Sequence, residues 1–291
     1  WFGLYLPQIR MPWERILERT LVAEAAGFDS VWLMDHLAAP MAPDVDTFEG
    51  WTLASALAAR TERVRLGHLV LCNPFRHPAL LAKMAATLDV VSSGRLDLGI
   101  GGSVPDELAT YGFGPEPARV RAAKLRETLD ILDLMFAGEP FDYDGEYTQL
   151  RAATGRPTPV QEHVPVHIGG GGTQLTMPIV AKYADWWNCP AYALDRLDEL
   201  RPLAGSARVS VQHPIGLAAF AAERDEVVAT VERRFGSWGG VIAGTANEVA
   251  EALAAEVERG VEGFVLQFSD FGAPDTVERF MREVAPQLGR D

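Results

Sequence analysis

Short apolar runs alternate with longer amphipathic stretches from one end of the chain to the other. FGLYLP reads as a strand, and WERILERTLVAEAAG follows with apolar residues at helical spacing and a glycine stop. DSVWLM predicts a second strand and WTLASALAARTE a helix. VRLGHLV predicts a third strand, and PALLAKMAATLDVVSSG a helix with proline in its first turn. LDLGIGG is a fourth strand. VPVHIGG, DWWNCP, RVSVQHPIGLAAF and GFVLQFS are the remaining strand candidates, each followed by a helical stretch: 173–184, 194–204, 225–236 or 246–259, and 275–287. Strands that alternate with helices pair in parallel. About eight such units in 291 residues predict a closed (β/α)8 TIM barrel, one domain over 1–291. An open doubly wound sheet is the second possibility.

One section breaks the rhythm. After the helix ending near Phe136, an insertion of about 137–165 precedes the fifth strand, where a few residues are the usual connection. Within it, FDYDGEYTQL has two aromatic-rich arms around Asp144-Gly145, which predicts a hairpin. The insertion is expected to lie over the barrel mouth and to serve as a lid.

Composition narrows the partners. Hydrophobic content of 48% with 23% charged is ordinary globular composition. No run of about 18 apolar residues is present, so no membrane span is expected. The net charge of −14 disfavours nucleic acid, and an anionic ligand would need local amides or isolated bases. Cys72 and Cys189 cannot build a disulfide framework or a metal site, and are expected to be reduced thiols. Residue 1 is Trp, so the natural chain is expected to begin further upstream. The absence of a basic segment followed by an apolar one points to the cytoplasm.

In such barrels the chemistry gathers at the C-terminal ends of the strands. There the sequence places Pro7-Gln8, Asp35-His36, Cys72-Asn73, Gly101-Gly102-Ser103, the glycine run 169–172, and Asn188. His36 is the sharpest candidate, as a proton donor or acceptor or as a structural histidine. On an extended strand Asp35 beside it points to the opposite face, so the two need not form a dyad. The other five histidines show no ligand spacing, nothing resembles HExxH, and no metal is expected. No G-x-S-x-G elbow is present. GIGGS lacks the third glycine of a dinucleotide fingerprint and suits a bare floor for a flat ring better. VHIGGGG, followed by a helix beginning near Thr173, is either a loose turn or a phosphate cradle with Thr173 as cap or donor.

PQ, MDHL, LGHLVLCNPFRHPALLAKMAATLDVVSSGRLDLGIGG, VHIGGGG, YADWWN, GTANEVAEAL and GVEGFVLQF, in that order, resemble the bacterial luciferase-like flavin and deazaflavin oxidoreductases. The CNP and FRHPALLAKMAATLDVVSSGR version is most similar to the branch that uses coenzyme F420, an 8-hydroxy-5-deazaflavin. The resemblance implies a barrel with an insertion, a homodimer, and hydride transfer between the deazaflavin C5 and a small organic substrate. It implies that Asp35 and His36 stand beside the reactive face of the cofactor. It aligns Leu69-Val70 with a non-proline cis peptide under the ring. Gly101, Gly102 and Ser103 would line the ring, and Gly169, Gly170, Gly171, Gly172 and Thr173 would hold the phosphate. Gln8, Glu49 and Asn73 are expected pocket walls, while Trp51 and Trp187 read as core. Two departures from the sugar-phosphate branch stand out: Val104 where that branch carries a Glu after strand four, and Pro40 where it carries a Trp. They argue against a sugar phosphate and remove an obvious general acid. An FMN-dependent monooxygenase and a flavin-binding protein without turnover are the alternatives.

Overall fold

The strands, in chain order, are β1 (Phe2–Tyr5), β2 (Ser30–Leu33), β3 (Arg65–His68), β4 (Leu71–Cys72), β5 (Leu96–Gly101), β6 (Phe141–Asp144), β7 (Gln149–Ala153), β8 (Val166–Gly169), β9 (Trp186–Cys189), β10 (Arg208–Leu217), β11 (Ile242–Gly244) and β12 (Gly263–Phe268). Eight of them pair in parallel as β1-β2-β3-β5-β8-β9-β10-β12 and return to β1, a closed barrel. The computed structural model describes residues 1–40, 42–102 and 105–289. The helices around the barrel are α1 (Trp13–Ala26), α2 (Gly50–Ala58), α3 (Pro78–Val91), α4 (Pro105–Thr110), α5 (Ala118–Ala137), α6 (Thr176–Tyr183), α7 (Leu197–Leu200), α8 (Arg224–Phe235), α9 (Ala246–Glu258) and α10 (Pro274–Arg279). Their caps follow the sequence signals. Gly27 ends α1 at φ 97°, and Thr245 with Glu248 forms a capping box on α9.

Pleating sorts each strand into two faces. Phe2, Leu4, Val31, Leu33, Leu96, Leu98, Val209, Val211, Phe264 and Leu266 join the core between strands and helices. Their neighbours face the barrel interior, where Tyr5, Trp32, Met34 and Val265 form a second cluster. Trp32 extends across the lower interior, beside Trp1, His167 and Trp186, because the residues flanking it on the neighbouring strands are bare. A Cβ on Gly3 or Gly67 would sit 2.5 Å from the Trp32 ring.

Two short strands were not expected. β4 resumes pairing with β5 above β3, and β11 pairs with Ile215–Leu217 of β10. Because β11 separates α8 from α9, both alternative helices after RVSVQHPIGLAAF exist. Residues 194–204 hold only a short α7 flanked by 3-10 turns.

The hairpin exists, but its position corrects the expectation of a lid. β6 and β7 pair antiparallel through Gly145–Thr148, closed by Gly145 N–H donating to Thr148 O at 2.9 Å. The turn is anchored sideways on α5, where Glu127 accepts from the amides of Glu146 and Tyr147. Downstream, Val160 and Gln161 donate to Asp89 near the end of α3, and Gln161 reaches the Leu96 carbonyl at the start of β5. A segment that follows a helix and precedes a strand emerges at the N-terminal end of the barrel. The mouth lies at the other end.

Candidate active site

The geometry of the mouth begins where β3 leaves β5. The peptide between Leu69 and Val70 is cis. Here the His68 carbonyl projects at Gly99, where a Cβ would fall on the oxygen, and Val70 Cγ2 would meet a Cβ on Gly101 at 2.6 Å. The glycines of LDLGIGG therefore admit the neighbouring chain. Gly102 has no atom within 4 Å of an added Cβ. Gly99→Ala is expected to destabilise the protein by about 3 kcal/mol, whereas Gly102→Ala leaves the denaturation midpoint unchanged. Paired urea titrations check both. Ser103 and Val104 lie outside the described residues.

Asp35 and His36 diverge as the pleat requires. Asp35 is buried and accepts from the Cys72 amide at 2.8 Å and, in two parallel bonds, from Arg76 at 2.7 and 2.8 Å. Arg76 also donates to Glu49 at 2.7 Å, and Glu49 caps α2 by accepting from Trp51 and Thr52 N–H. Burial alone would raise the Glu49 pKa, but these hydrogen bonds and the Arg76 charge hold it below the usual carboxylate range. His36 turns the other way. Its Nδ1 lies 2.7 Å from Glu107 Oε2, while the Leu37 amide donates to Glu107 Oε1 at 2.7 Å. With both carboxylate oxygens acting as acceptors, Nδ1 carries the imidazole proton and Nε2 remains for a ligand.

The glycine run resolves into distinct parts. Gly170 has φ 120°, its carbonyl accepts from Trp187 Nε1, and its amide donates to Asn188 O. It is shaped by the fold. Gly169 and Gly171 would accept a Cβ at ordinary contact distance, and at Gly172 the nearest atom is Thr176 Oγ1 at 3.2 Å. α6 begins at Thr176 rather than near Thr173, because Gly172 O accepts from both Thr176 and Met177 N–H. Thr173 is exposed and caps nothing. The amides of Gly171, Gly172, Thr173, Gln174 and Leu175 donate to no described residue.

A sequence profile described as luciferase-like monooxygenase matches residues 3–235. The chain belongs to this family. An F420-dependent glucose-6-phosphate dehydrogenase of Microbacterium testaceum (strain StLB037) is 38% identical over 162 residues, which are 55% of this chain and 48% of that relative. The chain thus matches about half the length of that protein. An F420-dependent secondary alcohol dehydrogenase in complex with an F420-acetone adduct superposes with a TM-score of 0.83. It is 21% identical and is covered to 99%, with all of this chain matched. EDTA monooxygenase from Chelativorans sp. BNC1 superposes at 0.84 with 17% identity, over 99% of this chain and 93% of that one. At these identities the structures share the fold.

Other expected walls of this luciferase-like site take specific places. Gln8 is fully buried, with Nε2 donating to Met34 O at 2.6 Å and Oε1 accepting from Met34 N at 3.2 Å. It ties the end of β1 to β2 and offers no atom to open space. Asn73 is buried with Oδ1 lacking any partner among the described residues. Trp187 is core, and Trp51 stacks on His68 at 5.4 Å. Glu107 and Arg76 were missed by sequence reasoning. The signal for Glu107 was an acidic residue in the helical turn after strand four, three positions past Val104. The signal for Arg76 was a lone arginine before the proline that starts α3.

Burial pushes the His68 pKa down, and its ring nitrogens have no hydrogen-bond partner among the described residues. The unfolded chain therefore binds one more proton below pH ~6.5. Stability is expected to fall as the pH drops through that value, by at most about 1.4 kcal/mol per unit from this group. Urea midpoints at pH 7.5 and 5.5 should differ less in His68→Phe than in the unaltered protein. Burial also pushes the Cys72 thiol up to about 12, which leaves it protonated. Among the described residues no three His, Cys, Asp or Glu side chains gather as a metal set, and no helix is long and apolar enough to cross a membrane.

Proposed function

We propose that this luciferase-like protein is a coenzyme F420-dependent oxidoreductase that transfers a hydride between the deazaflavin C5 and a small organic substrate. The observation that carries this reading is the run of five unengaged amides, Gly171 to Leu175, ahead of α6. Amides with a helix start behind them suit a phosphate. The orphaned Asn73 Oδ1 and the bare Gly101 and Gly102 suit the donors and flat face of a ring. The likeness to an F420-dependent relative supports the deazaflavin over FMN.

When bound, the deazaflavin supplies a hydride acceptor or donor at C5 and does not readily activate oxygen. His36 takes the substrate's proton at Nε2 during oxidation and returns it during reduction. Glu107 fixes the tautomer and the ring orientation. Asp35, held by Arg76, anchors the strand end from which His36 projects.

Spectral titration with oxidised F420 and with FMN tests the cofactor. Tight FMN binding without F420 binding overturns the proposal in favour of a monooxygenase. Thr173→Glu adds a negative charge beside the free amides and is expected to raise the F420 Kd about tenfold, a loss of about 1.4 kcal/mol. Its melting temperature should hold, since an acidic residue near a helix start is favourable. Unchanged affinity would return the glycine run to a loose turn. We also infer a cytoplasmic homodimer. α3 exposes Leu80, Val90 and Val91 beside a groove lined by Trp51, Met84 and Leu88. A monomer mass in light scattering, or a periplasmic fraction, sinks the respective part.

A further inference from the structure

β1 and β2 stay in register as far as Tyr5 and Trp32, and the last backbone rung runs from Leu6 N–H to the Trp32 carbonyl at 2.9 Å. In a parallel ladder the next two rungs would join Met34 N–H to the Leu6 carbonyl and Gln8 N–H to the Met34 carbonyl. Neither forms among the described residues. The Gln8 side chain supplies both bonds instead. Its Oε1 accepts from Met34 N–H at 3.2 Å, and its Nε2 donates to the Met34 carbonyl at 2.6 Å. A primary amide suits this place because it carries a donor and an acceptor side by side, which a carboxylate or an ammonium does not. Gln8 and Met34 are both buried, so a free Met34 peptide group there would be left unsatisfied. Room for the clamp comes from α2. A Cβ on Gly50 would stand 2.4 Å from the Met34 carbonyl oxygen and 3.4 Å from Gln8 Nε2.

The clamp lies two residues before His36. β2 ends at Leu33, so His36 stands on backbone beyond the ladder. Around it, Asp35 is held through its side chain by the Cys72 amide and Arg76, and Glu107 takes the Leu37 amide and the His36 ring. On Met34 the side-chain clamp holds the backbone itself. Releasing the two Met34 bonds frees the dihedrals that aim the His36 ring. A hydrogen bond as short as the 2.7 Å contact from Nδ1 to Glu107 weakens steeply when its angle is lost.

We propose that Gln8 is a positioning residue for proton transfer. By holding the Met34 peptide groups it keeps the His36 ring on Glu107, with the proton on Nδ1 and Nε2 left for substrate. Gln8 is enclosed and acts through His36. The proposal rests on the proton-transfer role of His36.

Nitrogen NMR of the full chain, labelled in its histidine rings and held at about pH 8, above the ordinary histidine range, tests it. The His36 signals are identified by their loss in His36→Ala. In the unaltered protein they should lie far apart, as one protonated and one bare nitrogen require. Gln8→Met keeps the side-chain length and removes both bonds, so the two signals should move toward each other as the tautomers interchange. Gln8→Asn is one methylene shorter and should move them the same way by less, which keeps the test open if Gln8→Met does not fold. Thr245→Ala removes the capping box of α9 far from the mouth. It should lower the melting temperature and leave both signals in place. The F420 Kd of both Gln8 variants, read by spectral titration, should hold. Gln8 variants that melt earlier with the His36 signals unmoved overturn the proposal and leave Gln8 a tie between strands. A loss of F420 affinity with the signals unmoved also overturns it and assigns Gln8 to the cofactor. Equal turnover of His36→Ala and the unaltered protein removes the role of His36 itself, and is read apart from the NMR signals.

Discussion

Replacing His36 by alanine is expected to lower turnover by about 10²–10⁴-fold while F420 affinity changes little. The imidazole is part-exposed at the mouth, and its only described partners are on Glu107. It carries no core packing, so its loss should leave the fold intact. Glu107→Ala frees the ring to rotate and to change tautomer, and should lower turnover about tenfold without altering the cofactor Kd. Steady-state rates combined with spectral titration separate the two effects. Equal activity of His36→Ala and the unaltered protein would move the proton-transfer role elsewhere. A protein that binds F420 but never turns over any substrate, with or without His36, would be the non-catalytic alternative.

Arg76→Ala should be the most destabilising single change near the site, at about 3–5 kcal/mol. The guanidinium is only 10% exposed and bridges Asp35, itself 3% exposed, to Glu49. Its removal leaves a buried carboxylate held by the Cys72 amide alone and loosens the cap of α2. It also releases contact with the face of Trp51, 5.7 Å away. Against a total stability of about 5–15 kcal/mol, this is enough to unfold a marginal protein at growth temperature. Arg76→Lys should recover part of the loss, because an ammonium cannot make the two parallel bonds to Asp35. Denaturant midpoints of the three proteins check the order. Because the Glu49 pKa is depressed in the fold, its share of this stability is present above about pH 4.5. That share is lost as the pH falls through the lower folded value.

Which features were legible in the sequence follows from the range over which each is determined. Strand–helix alternation set the barrel, since hydrophobic periodicity is local and each unit can bury its face in only a few ways. The divergence of Asp35 from His36 was legible for the same reason: a pleat reverses direction at every residue. The glycine run was legible as bare backbone, although only Gly170 has a conformation that demands glycine. The hairpin's position was available from element order, because a segment between a helix and a strand returns to the N-terminal end of the barrel. Reading aromatic content as a lid obscured it.

What the tertiary structure alone decided is the partner of each group at the mouth. Glu107 reaches His36 across 71 positions and Arg76 reaches Asp35 across 41. Gln8 meets the Met34 backbone, 26 positions away, only because β1 pairs with β2. Val104 in place of a glutamate removes one obvious general acid, whereas the carboxylate that does stand beside the histidine, Glu107, lies three positions further on. Periodicity fixes which face of a strand a side chain takes. Register between strands and the path of the connecting loops fix what it meets there, and those depend on the whole closed sheet at once.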